Sequence, residues 1–226
     1  MLDLHHLEVW RDDRCLFSGL SASLRPGDVL QVCGPNGAGK TTLLHLVAGL
    51  GRAQHGHVHW LEHPREHDPE DFQRNLLFIG HLPGIKAALT VAENLNFLAA
   101  CRGLMLTEAD LSAALARVGL DGYEDSPCGQ LSAGQKRRVA LARLFTEPVP
   151  LWILDEPFTA IDQQGVAELE GWIADHAERG GMALLTTHHV LKLRCPLRQL
   201  VLTRPVTEDD EAEEADWGHD EQEGGA

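Results

Sequence analysis

The segment GPNGAGKT, residues 34–41, constrains the fold of this 226-residue chain more than any other feature. It follows a short apolar run at residues 29–33 and precedes leucines at helical spacing, so we expect it to join a buried strand to a helix. Glycines at this junction let successive N–H groups turn toward an anion, and the positive end of the helix dipole strengthens the attraction. The pattern GxxxxGK[ST] in this context predicts a loop that binds nucleotide phosphates.

Each polar residue at the end of this loop has a predicted task. Lys40 reaches the β- and γ-phosphates, Thr41 offers its hydroxyl to Mg²⁺, and Thr42 adds a further phosphate contact. An ordinary glycine-rich turn is the alternative, but the Lys-Thr-Thr run and its flanks argue against it. The predicted nucleotide-binding residues are Gly34, Pro35, Asn36, Gly37, Ala38, Gly39, Lys40, Thr41 and Thr42.

Two adjacent carboxylates end a second apolar run, at residues 151–154. Asp155, at the predicted strand end, is placed to hold Mg²⁺ beside Thr41. Glu156 is the candidate base that polarises the attacking water. Two acids after a strand are often only a helix cap, but their pairing with a phosphate loop favours a nucleotide site.

The pattern of apolar runs predicts an α/β fold. Residues 151–154 and 182–187 are apolar runs separated by a helix-length segment, which is typical of a mostly parallel sheet. Alternation of apolar and polar residues near the start of the chain predicts half-buried strands. The stretch from about 82 to 130 is rich in helix starts, Thr90 with Glu93 and Thr107 with Asp110, and is predicted to be a helical subdomain.

The acidic residues of the chain are concentrated near its carboxyl end. Residues 205–226 contain ten of the 34 acidic residues and no Lys or Arg, so they predict a disordered tail after a domain at 1–204, with a specific acidic contact as the alternative.

The five cysteines form no CxxC pair, which is typical of a reducing cytoplasm. No signal peptide is indicated, and no apolar run approaches the roughly 20 residues that a membrane-spanning helix needs. Any membrane role is expected to come through a partner.

Residues 131–135, LSAGQ, repeat the capping spacing, Ser132 with Gln135, and open a basic amphipathic helix ahead of the two acids. With the motifs above, they make the chain resemble the ATP-binding cassette (ABC) ATPases, whose signature is LSGGQ. The resemblance implies a phosphate-loop parallel-sheet core with an antiparallel β subdomain and a helical subdomain, and ATP and Mg²⁺ as cofactors. It also implies a homodimer in which the signature of one subunit faces the ATP of the other. The signature residues are Leu131, Ser132, Ala133, Gly134 and Gln135; Ala133 replaces a glycine, and would weaken the contact if positive φ is needed there.

The same resemblance assigns further roles. Asp162 corresponds to the D-loop, which links the two ATP sites. His188 corresponds to the switch histidine that contacts the γ-phosphate and Glu156; the adjacent His189 is an alternative, but the spacing from the end of the predicted strand favours His188. Trp10 lies where an aromatic ring often stacks on adenine; a structural tryptophan at a strand end is the other interpretation.

Residues 78–86, FIGHLPGIK, contain the position where most ABC ATPases have the glutamine of the Q-loop. That position falls on His81, with Leu82 the next candidate. His81 either contacts the attacking water through a ring nitrogen or packs in the loop without touching nucleotide.

Several histidines elsewhere alternate along the chain. His55, His57 and His59 share one face of a predicted strand, and His63 and His67 follow. They predict either a metal patch or a polar exposed face; the second is favoured, because carboxylate or thiolate partners at fixed spacing are missing.

Four longer phrases narrow the family: LFSGLSASLRPGD, NLLFIGHLPGIKAALTVAENL, LSAGQKRRVALARLF and LWILDEPFTAID. Together they resemble the ATP-binding subunits of the cytochrome c maturation system. This implies an ATPase at the cytoplasmic face of the inner membrane, with an integral membrane permease subunit and small haem-handling membrane proteins as partners. ATP would drive haem export or release of a haem-loaded chaperone.

Two other functions stay open. One is the ATPase subunit of another ABC exporter, for lipids or drugs. The other is a soluble ABC ATPase that acts on ribosomes or DNA. The chain lacks the second cassette of such soluble proteins, and it has no basic stripe, so no nucleic-acid partner is predicted.

Overall fold

Strands and helices alternate along most of the chain, and the computed structural model describes residues 1–203. In chain order the elements are β1 (Leu2–Arg11), β2 (Arg14–Leu24), β3 (Val29–Cys33), α1 (Lys40–Val47), β4 (His55–Trp60), β5 (His63–Pro64), α2 (Pro69–Arg74), β6 (Leu76–Ile79), α3 (Val91–Ala100), α4 (Glu108–Arg117), a 3₁₀ helix (Cys128–Gln130), α5 (Ala133–Thr146), β7 (Leu151–Asp155), α6 (Gln163–Glu178), β8 (Met182–Thr186) and β9 (Leu197–Val201).

The strands form two sheets of different character. One is four-stranded, in the order β2-β1-β4-β5, and all its pairs are antiparallel. The other is five-stranded, in the order β6-β7-β8-β3-β9, and all its pairs are parallel. The predicted α/β fold, with a parallel core and an antiparallel subdomain, is confirmed.

The central strands of the parallel sheet are buried on both faces. Every residue of β7 and β8 is buried, because a sheet with layers on both sides has no solvent face. Their side chains alternate between two cores: Leu154 and Leu185 pack toward α5 and α6, whereas Ile153 and Leu184 pack toward α1 and the antiparallel sheet. Because β7 and β8 are parallel, their carboxyl ends meet at the same edge of the sheet, and a packed core lies on each face of the sheet.

Capping side chains set the starts of three helices. The hydroxyl of Thr90 accepts the N–H of Glu93, and Thr107 with Asp110 and Ser132 with Gln135 repeat this reciprocal arrangement at α4 and α5. The predicted helix starts at these positions are confirmed.

The segment about 82–130 contains α3, α4 and the 3₁₀ helix, and both α helices pack against α5. The predicted acidic tail at 205–226 lies outside the described residues. Within residues 1–203, no helix combines the length and apolar character that a bilayer crossing requires.

Candidate active site

The phosphate loop lies between β3 and α1, and three glycines give it its shape. Gly34, Gly37 and Gly39 have φ of 144°, 77° and 92°, in the region that favours glycine. A side chain at Gly39 would also come within 3.2 Å of Leu16 and Phe17. The loop leads directly into the amino end of α1, where the first N–H groups of a helix lack intrahelical partners and can bind an anion.

Lys40 is the first residue of α1, and its amine folds back across the loop. The amine donates to the carbonyl oxygens of Gly34 at 2.7 Å and Pro35 at 3.0 Å. The charged end of the side chain is thus held against the loop, in the wall of the cleft described below. A phosphate there would form stronger bonds with the same amine, because donor and acceptor would then both be charged.

Asp155 occupies the end of β7 and is 1% exposed. Its Oδ1 accepts from the Thr186 hydroxyl at 2.6 Å and from the Thr41 hydroxyl at 3.3 Å. Its Oδ2 is buried and has no hydrogen-bond partner among the described residues. A buried carboxylate oxygen without a partner is costly unless a cation or water completes it, and the surrounding hydroxyl and carboxylate oxygens are the ligand types that Mg²⁺ prefers.

Glu156 adopts a left-handed backbone conformation, with φ of 48°. Such a conformation costs energy in a residue with a side chain, and it turns Glu156 away from the direction of the strand. The Glu156 N–H donates to the Thr186 hydroxyl at 3.0 Å, which helps to hold the turn. The carboxylate is therefore directed toward the cleft described below.

The two adjacent histidines after β8 have different surroundings. The Nε2 atom of His188 lies 3.5 Å from Oε1 of Glu156. His189 instead lies 3.4 Å from the Glu170 carboxylate and packs beside the Phe158 ring. Of the two, His188 is the one that the fold brings to Glu156.

A cleft of about 280 Å³ opens beside the phosphate loop. It unites residues more than a hundred positions apart in sequence, because β3, β7 and β8 are neighbours in the sheet. Arg11 and Leu16 also line it; no sequence motif marked them, since they come from the antiparallel sheet. The predicted site residues in its wall are Asn36, Gly37, Gly39, Lys40, Thr41, Thr42, Glu156 and His188.

Trp10 is not among the residues that line this cleft. The residue is 43% exposed, and its indole N–H donates to Oε1 of Glu8 at 2.7 Å. This bond, with a second one from Ser18, lowers the pKa of Glu8. Trp10 lies at the end of β1 next to the lining residue Arg11, and its predicted stacking on adenine stays a prediction.

The signature residues form the start of α5, away from the cleft wall. Ser132 is the N-cap, and Ala133 is the first helical residue and has no positive φ. An alanine therefore fits there without strain. Gly134 is constrained differently: a Cβ atom on it would lie 2.7 Å from the carbonyl oxygen of Ala160. The glycine is needed because the chain that leads to Asp162 passes so close.

Asp162 caps α6 and connects it to the helix of the signature. Its Oδ1 accepts the N–H of Gly165 at 3.0 Å and a bond from Arg138 at 2.8 Å. These contacts, the Gly165 N–H first, lower the pKa of the Asp162 carboxyl. Asp162 thus links the starts of α5 and α6.

His81 and Leu82 are exposed in the loop after β6, and neither lines the cleft. The Leu82 side chain is 80% exposed. The preceding residue, Gly80, is fixed by a 2.8 Å bond from the Arg137 guanidinium to its carbonyl oxygen. The loop therefore has an anchored start and an apolar exposed tip.

Some of the histidines lie close together in pairs on or beside the antiparallel sheet. His5 and His59 have ring centroids 4.6 Å apart, and His63 and His67 have theirs 5.3 Å apart. Across residues 1–203, however, no group of three or more His, Cys, Asp or Glu side chains is arranged to hold a metal ion.

Comparison with known sequences identifies the family of this chain. Residues 17–159 match the family model described as ABC transporter. The cytochrome c biogenesis ATP-binding export protein CcmA of Yersinia pseudotuberculosis is 53% identical over 194 residues, which are 84% of this chain and 87% of that protein. The protein of the same name from Vibrio cholerae is 48% identical over 206 residues, 91% of this chain and all of that one. The chain belongs to the CcmA family of ABC transporter ATP-binding subunits.

Solved structures show the same fold at greater distance. A post-hydrolysis, dimeric ATP-binding cassette with bound ADP and phosphate has a TM-score of 0.79 and 21% identity, covering 90% of this chain and 94% of that one. This likeness confirms the fold. The predicted family is confirmed by the family model and the sequence relatives above, and ATP binding follows from membership of it.

Proposed function

We propose that this CcmA-family chain hydrolyses ATP as the energy-coupling subunit of an inner-membrane complex for c-type cytochrome biogenesis. One observation supports the hydrolytic role above all others. Glu156 and His188 meet at 3.5 Å in the cleft beside the phosphate loop. A carboxylate base with a neighbouring histidine at a phosphate site is suited to position and polarise a water for attack on a γ-phosphate.

In this proposal the loop N–H groups and Lys40 hold the β- and γ-phosphates. Thr41 and Asp155 would hold Mg²⁺, which neutralises charge on the phosphate oxygens when bound. Glu156 accepts a hydrogen bond from the attacking water and draws off its proton as the new bond forms. His188 orients the Glu156 carboxylate and donates to the γ-phosphate. The products are ADP and phosphate.

We further propose that two copies of the chain form the working ATPase. The signature residues are outside the cleft wall of their own chain, so the cleft lacks the contact that Ser132 would make with a γ-phosphate. A head-to-tail partner supplies it, with Asp162 near the junction of the two sites. This arrangement supports a homodimer with two shared ATP sites.

The loop after β6 is the proposed contact with an integral membrane permease subunit. Leu82 is exposed and apolar at its tip, while Gly80 anchors its start to the site. Small haem-handling membrane proteins would complete the complex at the cytoplasmic face of the inner membrane. Haem export and ATP-driven release of a haem-loaded chaperone are the two forms of work that we propose for it.

Deletion of the chain from its host tests the biological assignment. We expect c-type cytochromes to disappear from haem-stained membranes while b-type cytochromes stay, with recovery on expression of the full chain but not of Glu156→Gln. Normal c-type cytochromes in the deletion strain would contradict the assignment and favour a lipid or drug exporter.

A second experiment tests the catalytic assignment independently. Glu156→Gln keeps the shape of the side chain but removes the base, so we expect ATP turnover to fall by at least about a hundredfold while ATP binding stays. ATP should then accumulate in a stable dimer, visible by gel filtration. Undiminished turnover would remove Glu156 from the role of base.

A further inference from the structure

Arg137 is buried in the middle of the site, although neither the phosphate loop nor the cleft wall includes it. It lies in the second turn of α5 and is 2% exposed. Its guanidinium donates to main-chain carbonyl oxygens of four residues in two other segments: Gly80 at 2.8 Å, Asp155 at 2.9 Å, Pro157 at 3.2 Å, and Glu156.

This arrangement uses properties that only arginine has. Its planar guanidinium carries five N–H donors in a fixed fork, and here they converge on carbonyls at the carboxyl ends of β6 and β7. Burial lowers the pKa of the Arg137 guanidinium, whereas the nearby Asp155 and Glu156 raise it. A cation buried at this cost is retained only where its hydrogen bonds are well satisfied.

The carbonyls that Arg137 holds surround the strained residue of the site. Glu156 has φ of 48°. The Arg137 guanidinium bonds the carbonyl oxygen of Glu156 and the carbonyl oxygens of the residues before and after it. A left-handed residue persists when its surroundings over-determine it. Arg137 supplies that restraint from the α5 side of the turn, while Thr186 holds the Glu156 N–H from β8.

We propose that Arg137 is a positioning residue that fixes the direction of the Glu156 carboxylate and ties it to the start of the loop after β6. The proposal rests on the role of Glu156 as base. Gly80 and Glu156 bond to the same guanidinium, so displacement of the loop at Gly80 is transmitted to the Glu156 turn. Because Arg137 belongs to α5, whose N-cap is the signature residue Ser132, the signature helix carries the same connection.

Substitution of Arg137 by lysine tests this role. Lysine keeps the charge but replaces the planar fork with one compact group, so it cannot reach all four carbonyls. We expect kcat for ATP hydrolysis to fall at least about tenfold, while the affinity for a non-hydrolysable ATP analogue changes by less than about threefold. The measurements use the full chain purified with its co-expressed membrane partners. Arg137→Met is expected to unfold more easily, so lysine is the informative change.

Arg143→Lys is the matched control. Arg143 lies on the same helix and is also partly buried, but its guanidinium bonds Glu147 and the Phe78 carbonyl instead of the Glu156 turn. The Arg143→Lys substitution should lower the melting temperature of the protein with little change in kcat for ATP hydrolysis. Equal losses of kcat in the two variants, or full kcat in Arg137→Lys, would overturn the proposal, because the effect would then be structural or absent.

A double-mutant cycle separates this inference from the assignment of Glu156. If Arg137 acts through Glu156, Arg137→Lys should lower the residual turnover of Glu156→Gln by less than about twofold. A further tenfold loss in the double variant would show that Arg137 acts elsewhere. If Glu156→Gln alone retains full turnover, the base assignment fails, whatever Arg137→Lys does.

Discussion

The hydroxyl of Thr186 lies 2.6 Å from Oδ1 of Asp155 and joins the ends of β8 and β7. The same hydroxyl accepts the N–H of Glu156 at 3.0 Å. One buried side chain thus fixes both acids of the site. Because Oδ1 of Asp155 is held by Thr186 and Thr41, Oδ2 is the carboxylate oxygen that stays free for a cation or its water.

Loss of this hydroxyl should impair catalysis more than binding. Thr186→Val keeps the shape of the side chain but leaves Asp155 and the Glu156 N–H without their partner. We expect kcat to fall about tenfold or more and the free energy of unfolding to drop by about 1–3 kcal/mol. Steady-state ATPase assays and urea denaturation measure the two effects. Thr186→Ser, which keeps the hydroxyl, should recover most of kcat, and its failure to do so would argue against the hydrogen bond as the cause.

Removal of the Lys40 amine should affect nucleotide affinity directly. In Lys40→Ala the loop loses the charge that lies across its mouth, so we expect the Kd for ATP to rise at least about tenfold. Titration with a fluorescent ATP analogue measures this. Lys192→Ala removes an exposed amine of the same charge and serves as the control. Equal affinity of Lys40→Ala and the control would contradict the phosphate-loop assignment.

The sequence predicted those parts of the site that depend on local patterns. Three parts are each contained in a few consecutive residues, so their geometry follows from local backbone preferences: the phosphate loop, the two acids at the end of β7 and just after it, and the capping box at Ser132. The preference for His188 over His189 rested on the family resemblance and strand-end spacing, and the structure places His188 beside Glu156.

The features that the sequence did not predict depend on contacts between distant segments of the chain. Arg137 stood in a basic helix face, and nothing local indicated that its guanidinium would be buried against β6 and β7. Arg11 reaches the cleft only because the antiparallel sheet packs over the phosphate loop. The strand β9 was not predicted, because it is an edge strand, LRQLV, with exposed polar residues and no continuous apolar run. Tertiary packing determines these features.

His176 gives the stability of the protein a specific pH dependence. Its ring stacks on Trp152 at 3.7 Å and lies 3.2 Å from the Pro150 carbonyl oxygen, and burial lowers its pKa from 6.5 to about 4. The unfolded chain therefore binds a proton at this residue before the folded protein does. As the pH falls from about 6.5 to about 4, this histidine should remove on the order of 3 kcal/mol of stability.

Urea denaturation of His176→Gln across that pH range checks this contribution. The variant should be less stable at pH 7, because the stacking is lost, but its stability should depend less on pH. His63→Gln, at an exposed site, should keep the dependence of the parent protein. Parallel pH profiles for His176→Gln and the parent would show that His176 titrates normally.

Substitution of Ala133 and substitution of Gly134, two neighbouring residues of the signature, should affect the protein to very different extents. Ala133 starts α5 without positive φ, so Ala133→Gly only loosens the helix end, by at most about 1 kcal/mol, and should leave turnover nearly unchanged. Gly134→Ala places a Cβ atom 2.7 Å from the Ala160 carbonyl oxygen, which belongs to the backbone and cannot rotate away. The segment leading to Asp162 must then shift.

Because that segment is the proposed link between the two ATP sites, Gly134→Ala should reduce ATP-dependent dimer formation and turnover by at least about tenfold, with near-normal binding of ATP to the single chain. Gel filtration in the Glu156→Gln background, where ATP is not consumed, measures the dimer. A stable ATP-bound dimer of the Gly134→Ala, Glu156→Gln double variant would mean that the two segments can separate without cost, and that the close approach of Gly134 to Ala160 is not part of the subunit contact.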